Sequence, residues 1–320
     1  MDVTVILAGL IVGFVVGLTG MGGGALMTPV LVLFFGVTPL AAVSSDLVAA
    51  AIMKPVGSWV HMRRGTIHWP LVRWLVLGSV PSAFAGVLVL KALGGSSHVQ
   101  DVVKIALGVA LLIAAGSIVL KAYLSLTDRV RRRLALARGE EVAPVEVGPP
   151  VVRPLPTVLI GAVGGLIVGM TSVGSGSLII IALLALYPTL TANRLVGTDL
   201  VQAVPLVASA ALGHLLFGDF QLDLTGSLLI GSIPGVYLGA QLSSRAPGGL
   251  IRRALVVVLL ASGLKLLALP TVPLGVILAV VVVVGPLGWA GLRRWYTGRA
   301  DAEIAAIGPN QIRNGEQARA

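Results

Sequence analysis

Apolar residues fill this chain in blocks near the length of a membrane crossing, separated by glycines and short charged loops rather than by the polar faces of water-facing helices. Crossing a hydrocarbon core of about 30 Å takes about 20 helical residues. Residues 41–60, 69–90, 99–121, 193–217, 222–242, 250–269 and 274–292 each meet that length. Two longer stretches, 3–35 and 155–187, are broken internally by glycines. At 1.5 Å per residue they are too long for one simple crossing and short for two complete ones. Each is expected to form a hairpin of short or partly re-entrant helices, with its glycine turn buried in protein or facing a wet cavity, because lipid tolerates no unpaired backbone.

The two broken stretches open two similar halves. Gly13, Gly17, Thr19, Gly22, Gly24 and Leu26 recur at an offset of 152 as Gly165, Gly169, Thr171, Gly174, Gly176 and Leu178. After a one-residue slip, Asp46, Leu47, Val48, Ala50, His61, Gly65, Gly78, Ser79, Pro81 and Gly86 recur at 153 as Asp199, Leu200, Val201, Ala203, His214, Gly218, Gly231, Ser232, Pro234 and Gly239. Shared leucines would mean only shared apolarity. Shared glycines, prolines and an aspartate mean a shared backbone path and a shared polar position, the signature of a transporter with its site between the halves.

Composition fixes the class. The chain is 56% hydrophobic and 11% charged, with mean hydropathy +0.99, against about one-quarter charged residues in soluble domains. The net charge of +10 therefore marks membrane orientation and not nucleic acid. Arg63 and Arg64 put the loop after residues 41–60 inside, and Arg129, Arg131, Arg132 and Arg133 put the central linker inside as well. The loop matching Arg63 and Arg64 in the second half, Gly218-Asp219-Phe220-Gln221, has no cation, while Arg194, Arg245, Arg252 and Arg253 lie at the opposite ends of their spans. The halves are expected to be inverted, with Arg293, Arg294 and Arg299 placing the C-terminus inside. The expected fold is an all-α polytopic membrane protein of two inverted repeats with glycine-broken opening hairpins plus one extra C-terminal span. Its parts are repeats 1–122 and 154–270, a cytoplasmic linker 123–153, the extra helix 271–292 and a tail 293–320. Asp2 without a basic n-region predicts that the first segment is retained.

Candidate chemistry gathers at the glycine turns and in the spans that follow them. Gly20-Met21-Gly22-Gly23-Gly24 and Ser172-Val173-Gly174-Ser175-Gly176 offer backbone N–H groups at helix starts, where an anion is held. They serve equally well as simple tight turns. Gly9, Gly13, Gly17 and Gly161, Gly165, Gly169 line one helix face each and read as packing. Gly20-x-Gly22-x-x-Ala25 imitates a dinucleotide fingerprint but lacks the preceding strand. Asp46 and Asp199 are the carboxylates well inside the expected spans, in Ser44-Ser45-Asp46-Leu47 and Gly197-Thr198-Asp199-Leu200. Ionisable groups at that depth mark pathways or proton relays, or else cap a broken helix. Lys54, eight residues after Asp46, is matched by Val207 in the other half, so the symmetry breaks there. A lone ammonium attracts an anion or pairs structurally with Asp46. His61 and His214, near span ends, read as structural. Because only Asp46 has a lysine downstream, Asp199 is expected to be the proton carrier. With no cysteine and four histidines, no nucleophile or metal-ligand set for an intramembrane enzyme is recognisable, and no cofactor is expected.

These motifs resemble the sulfite exporter TauE/SafE family of membrane permeases. The resemblance rests on Gly17-Leu18-Thr19-Gly20-Met21-Gly22-Gly23-Gly24, Ser45-Asp46-Leu47 followed by Lys54, His61-Met62-Arg63-Arg64-Gly65, and Val196-Gly197-Thr198-Asp199-Leu200 with Pro205 and Gly213-His214. It implies a permease in the bacterial cytoplasmic membrane for small sulfur-containing or organic anions such as sulfite or sulfonates. The substrate or pathway residues expected are Thr19, Gly22, Gly23, Gly24, Ser45, Asp46, Lys54, Thr171, Ser172, Gly174, Ser175, Gly176, Thr198, Asp199 and Gln202. Partners are then the small anion, the lipid bilayer and protons as a coupling ion, without nucleic acid. An anion channel and a non-transporting scaffold subunit are the alternatives.

Overall fold

Each opening stretch divides at its glycine motif, where consecutive residues without a Cβ end one helix and start the next. In a computed structural model that describes residues 2–19, 23–63, 65, 67–93, 96–138, 151–188, 190, 192–242 and 248–306, the first half opens with α1 (Val3–Thr19) and α2 (Gly24–Phe34). The second opens with α6 (Pro154–Thr171) and α7 (Leu178–Leu186). At 1.5 Å per residue α2 and α7 are about 17 Å and 14 Å long, too short to cross a bilayer alone. Around them stand α3 (Pro39–Arg63), α4 (Trp69–Ala92), α5 (Ser96–Ala137), α8 (Ala192–Phe217), α9 (Leu222–Leu242), α10 (Gly248–Leu266) and α11 (Thr271–Ala306). Among the described residues, α4, α5, α6, α8, α9 and α11 contain segments long and apolar enough to cross a membrane. The chain is an all-helical, multi-pass membrane protein.

The halves pack by exchange. α1 lies along α9 and α6 along α4, so the first helix of each half lies against the fourth helix in order of the other. Small residues permit the close approach: a Cβ on Gly13 would sit 2.6 Å from the Ser232 carbonyl oxygen, and one on Gly165 would sit 2.4 Å from that of Ser79. Between helices in lipid, where burying apolar surface brings no hydrophobic gain, contact of this kind supplies the attraction. The glycine faces are therefore packing faces, as their spacing suggested. Ser44 near the start of α3 meets His214 near the end of α8, while Ser58 near the end of α3 meets Leu200 near the start of α8. Those helices run antiparallel. α5 and α10 cross antiparallel too, with Gly108 against Leu267 and Gly263 against Leu112. Both apolar cores mix the halves, one joining Leu75 and Ala83 to Val168 and Leu206, the other Met27 and Leu111 to Leu255 and Leu259.

Two helices run past the expected ends of their spans. α5 continues from the membrane segment through Ala137, into the stretch read from its mixed charge as linker, and α11 continues through Ala306. The extensions meet. Tyr123 and Tyr296 share a hydrogen bond of 2.8 Å between hydroxyls, and Arg138 pairs with Glu303. No glycine or proline interrupts residues 121–137, so the helix has no local reason to stop, and its partner gives it a reason to persist.

Candidate functional site

The second glycine turn is built from unusual backbone. Ser172 adopts φ 61°, Gly174 φ 136° and Gly176 φ 96°, conformations open to glycine and costly for other residues. Thr171 ties the turn together: its hydroxyl bonds the Ile167 carbonyl at 2.7 Å and accepts from the Val173 N–H at 3.1 Å. The start of α2 presses against this turn, since a Cβ on Gly24 would lie 2.0 Å from the Ser172 carbonyl oxygen. The turn of one half is thus packed on the helix that opens from the other.

Polar side chains from both halves surround the junction. Asp46 on α3 is fully buried; its Oδ2 accepts hydrogen bonds from the hydroxyls of Ser172 at 2.6 Å and Thr28 at 2.9 Å. Its Oδ1 has no hydrogen-bond partner among the described residues and lies 3.7 Å from where a Cβ on Gly23 would stand. Lys54, two turns further along α3, donates from Nζ to the Ser175 hydroxyl. Asp199 on α8 accepts from Gln202 Nε2 at 3.0 Å and receives a backbone hydrogen bond from Gly176, and Gln202 in turn accepts from the Ser79 hydroxyl at 3.2 Å. Lys54 is within electrostatic reach of both Asp199 and Asp46.

That last relationship corrects one premise of the sequence reading. Asp199 does have an ammonium nearby, because Lys54 reaches across the boundary between halves and is not confined to its own helix. The two aspartates nevertheless differ. Asp46 holds two hydroxyls, whereas Asp199 holds an amide and a backbone N–H. The positions equivalent to Thr28, Gln202 and Lys54 are Ile180, Ala49 and Val207, none of which carries a polar group.

The structure brings Gly23, Gly24, Asp46, Lys54, Ser172, Ser175, Gly176, Asp199 and Gln202 to one junction, with Gly174 and Thr171 shaping its turn. Thr198 faces elsewhere: its hydroxyl accepts the His68 N–H at 3.0 Å, at the start of α4. Ser45 is buried with its hydroxyl unpartnered among the described residues. Gly22 lies outside the described residues, as do the side chains of Thr19 and His61. His214 is fully buried, 2.8 Å from the Ser44 hydroxyl and 2.7 Å from the Gly169 carbonyl oxygen, which ties α8 to α3 and α6 in a structural role. Sequence reasoning missed Thr28 and Ser79. Thr28 is a lone hydroxyl in an otherwise apolar helix, which is a weak signal, and Ser79 was read only as a recurring position of the repeat.

The family model for the sulfite exporter TauE/SafE family matches residues 5–266 of the chain. The chain is 41% identical over 268 residues to "Probable membrane transporter protein YjnA" of Bacillus subtilis (strain 168), covering 83% of this chain and all of that one. It is 24% identical over 263 residues to "Probable membrane transporter protein YdhB" of the same organism, covering 82% of this chain and 99% of that one. No solved structure gives a significant match. With an apolar, multi-helix body and a family match that runs from α1 to the end of α10, the chain belongs to the sulfite exporter TauE/SafE family.

Proposed function

We propose that the chain is a secondary transporter that carries a small anion, either sulfite, a sulfonate or another small organic anion, across the bacterial cytoplasmic membrane. The observation that carries this reading is Lys54, an ammonium in the interior of α3, a helix whose apolar sequence is read as a span, that bonds Ser175 at the glycine turn of the opposite half. A cation at that depth is costly and needs a functional or structural return. Here it stands at the glycine turn where two halves meet, and its charge attracts an anion. The family and the names of the relatives support transport.

Inverted repeats are part of the proposal. Antiparallel packing of the equivalent helices α3 and α8, and of α5 and α10, supports a two-fold axis lying in the membrane plane. The arginine distribution favours a cytoplasmic C-terminus. Rocking of one half against the other around Lys54 would alternate access.

Charge counting adds a coupling ion. Two carboxylates and one ammonium sum to an excess negative charge when all are ionised, and an anion enters such a site at a large electrostatic cost. A proton on Asp46 or Asp199 removes that excess, so anion and proton would travel together. Counterflow in proteoliposomes tests the reading: labelled sulfite, sulfonate or carboxylate should accumulate transiently against excess unlabelled anion on the other side. A channel gives conductance without counterflow, and a scaffold gives neither.

A further inference from the structure

Arg253 of α10 and Arg293 and Arg294 of α11 converge on a cavity of about 240 Å³ whose walls are completed by Trp289, Ala290 and Thr297. Among the described residues none of the three arginines forms an ion pair with a carboxylate; the pair formed between the helix extensions is Arg138–Glu303, farther along α11. The cavity has two chemical ends. On one side Trp289 and Ala290 continue into the membrane face of α11, where Val276, Val283 and Leu287 are 59%, 61% and 68% exposed. On the other, three guanidinium groups and a hydroxyl stand where the apolar run stops. A tryptophan beside arginines at the end of a span marks headgroup depth.

The cavity also lies on a seam. The family match ends at residue 266, and α11 begins at Thr271, so one wall belongs to the family body and the other to an appended helix. The membrane part of α11 touches little else: its apolar window is only 6% buried. We propose that this cavity binds the phosphate of an anionic phospholipid, which bridges α11 to α10. Guanidinium forks match phosphate oxygens and supply paired charge-assisted hydrogen bonds. Among the described residues no carboxylate pairs with these arginines, and a phosphate supplies the missing counter-charge. A ligand with an apolar body fits better than free phosphate, because the Trp289 side of the cavity opens onto lipid-facing surface. Basic pockets between membrane helices bind such headgroups.

The test uses the purified full-length chain in detergent, with lipid binding measured by native mass spectrometry and by thermal shift. Phosphatidylglycerol, phosphatidylcholine and inorganic phosphate are the three probes. Phosphatidylglycerol is expected to bind and to raise the melting temperature. A loss of about fivefold per arginine makes the combined variant Arg253→Gln, Arg293→Gln, Arg294→Gln about a hundredfold weaker. An equal charge change on the α5 extension, Arg129→Gln, Arg132→Gln, Arg133→Gln, should alter binding by less than about twofold. Equal loss in both variants means diffuse attraction and overturns the site. Phosphatidylcholine binding as tightly overturns the requirement for an anionic lipid. Inorganic phosphate that displaces phosphatidylglycerol at equal concentration makes this a free-phosphate site and overturns the lipid assignment. If the triple variant does not fold, the single Arg294→Gln and the three-probe comparison on the unmodified chain decide the matter.

Discussion

The Lys54 ammonium on α3 donates a hydrogen bond to the Ser175 hydroxyl, which joins a helix of the first half to the glycine turn of the second. Lys54→Met keeps most of the volume of the side chain and deletes its charge. Anion counterflow should fall by at least about tenfold, because a charge-assisted contact contributes about 1.5–3 kcal/mol. The melting temperature in detergent should stay within a few degrees. Normal counterflow in that variant would remove Lys54 from the transport site, and collapse of the fold would make it a structural pair.

The exchange of small residues between halves predicts matched sensitivity. Gly13→Ala and Gly165→Ala each place a methyl group inside van der Waals contact with a carbonyl on the opposite half. Each should lower stability by about 1–3 kcal/mol, the usual cost of overpacking. Gly275→Ala, with open space around it, should have no effect. Thermal denaturation of the three variants is the measurement, and indifference of Gly165→Ala would mean that α4 and α6 are less closely seated than described.

How much of this was legible in the sequence varied by level. Glycine runs end helices locally, so the splitting of both opening stretches could be read directly, and the period-four glycines identified the packing faces. The bonds from Ser172 and Ser175 to α3 could not, because they join residues 126 and 121 positions apart. The turns were legible as turns, but not the residues they face. Of the two carboxylates only Asp46 was placed near Lys54, because helix spacing relates residues only along one helix, while its long stem crosses to the other half. The α5 extension was hidden for a related reason: its mixed charge resembles a linker until Tyr296 and Glu303 are brought beside it.

Met62 and Asp219 provide the test of inversion. Met62 lies at the end of α3, and Asp219 follows α8, where it accepts a hydrogen bond from Thr38 at the other end of α3. Their positions are therefore separated by about 36 Å along α3. In this cysteine-free chain, Met62→Cys and Asp219→Cys should react with an impermeant thiol reagent from opposite sides of the membrane. Reaction of both from one side would contradict inverted repeats.

His68 gives a stability change with pH. Its ring accepts the Leu71 N–H at 3.3 Å at the start of α4, and burial, with Arg194 nearby, holds the imidazole below its usual range. Protonation destroys that acceptor. Because the folded form disfavours the charged ring, the stability is present above the ordinary histidine value and is lost as pH falls through the lowered one. His68→Asn retains a helix cap without titrating. The difference in melting temperature between the two proteins should narrow or reverse as pH falls from 7.5 to 5; a constant difference would exclude the cap.

Asp46 and Asp199 should have separable roles, for reasons that the geometry changes from those of the sequence. Lys54 reaches both, so proximity to an ammonium no longer distinguishes them. Their other partners do. Asp46 accepts Ser172 from the second-half turn and Thr28 from α2, and therefore holds the two opening elements together. Asp199 accepts Gln202 from its own helix and the backbone of Gly176, so a proton can come and go there without releasing a side-chain bond between halves. On this basis Asp199 is expected to be the proton carrier and Asp46 the latch. Asp199→Asn should permit anion exchange while abolishing the response of uptake to an imposed pH gradient. Asp46→Asn should depress exchange and uptake together, by about tenfold or more, because the hydroxyls of Ser172 and Thr28 lose a charged acceptor. Ser172→Ala should reproduce part of the Asp46→Asn loss and leave the gradient response intact. Identical behaviour of the two asparagine variants, or a gradient response that survives Asp199→Asn, would place the proton elsewhere.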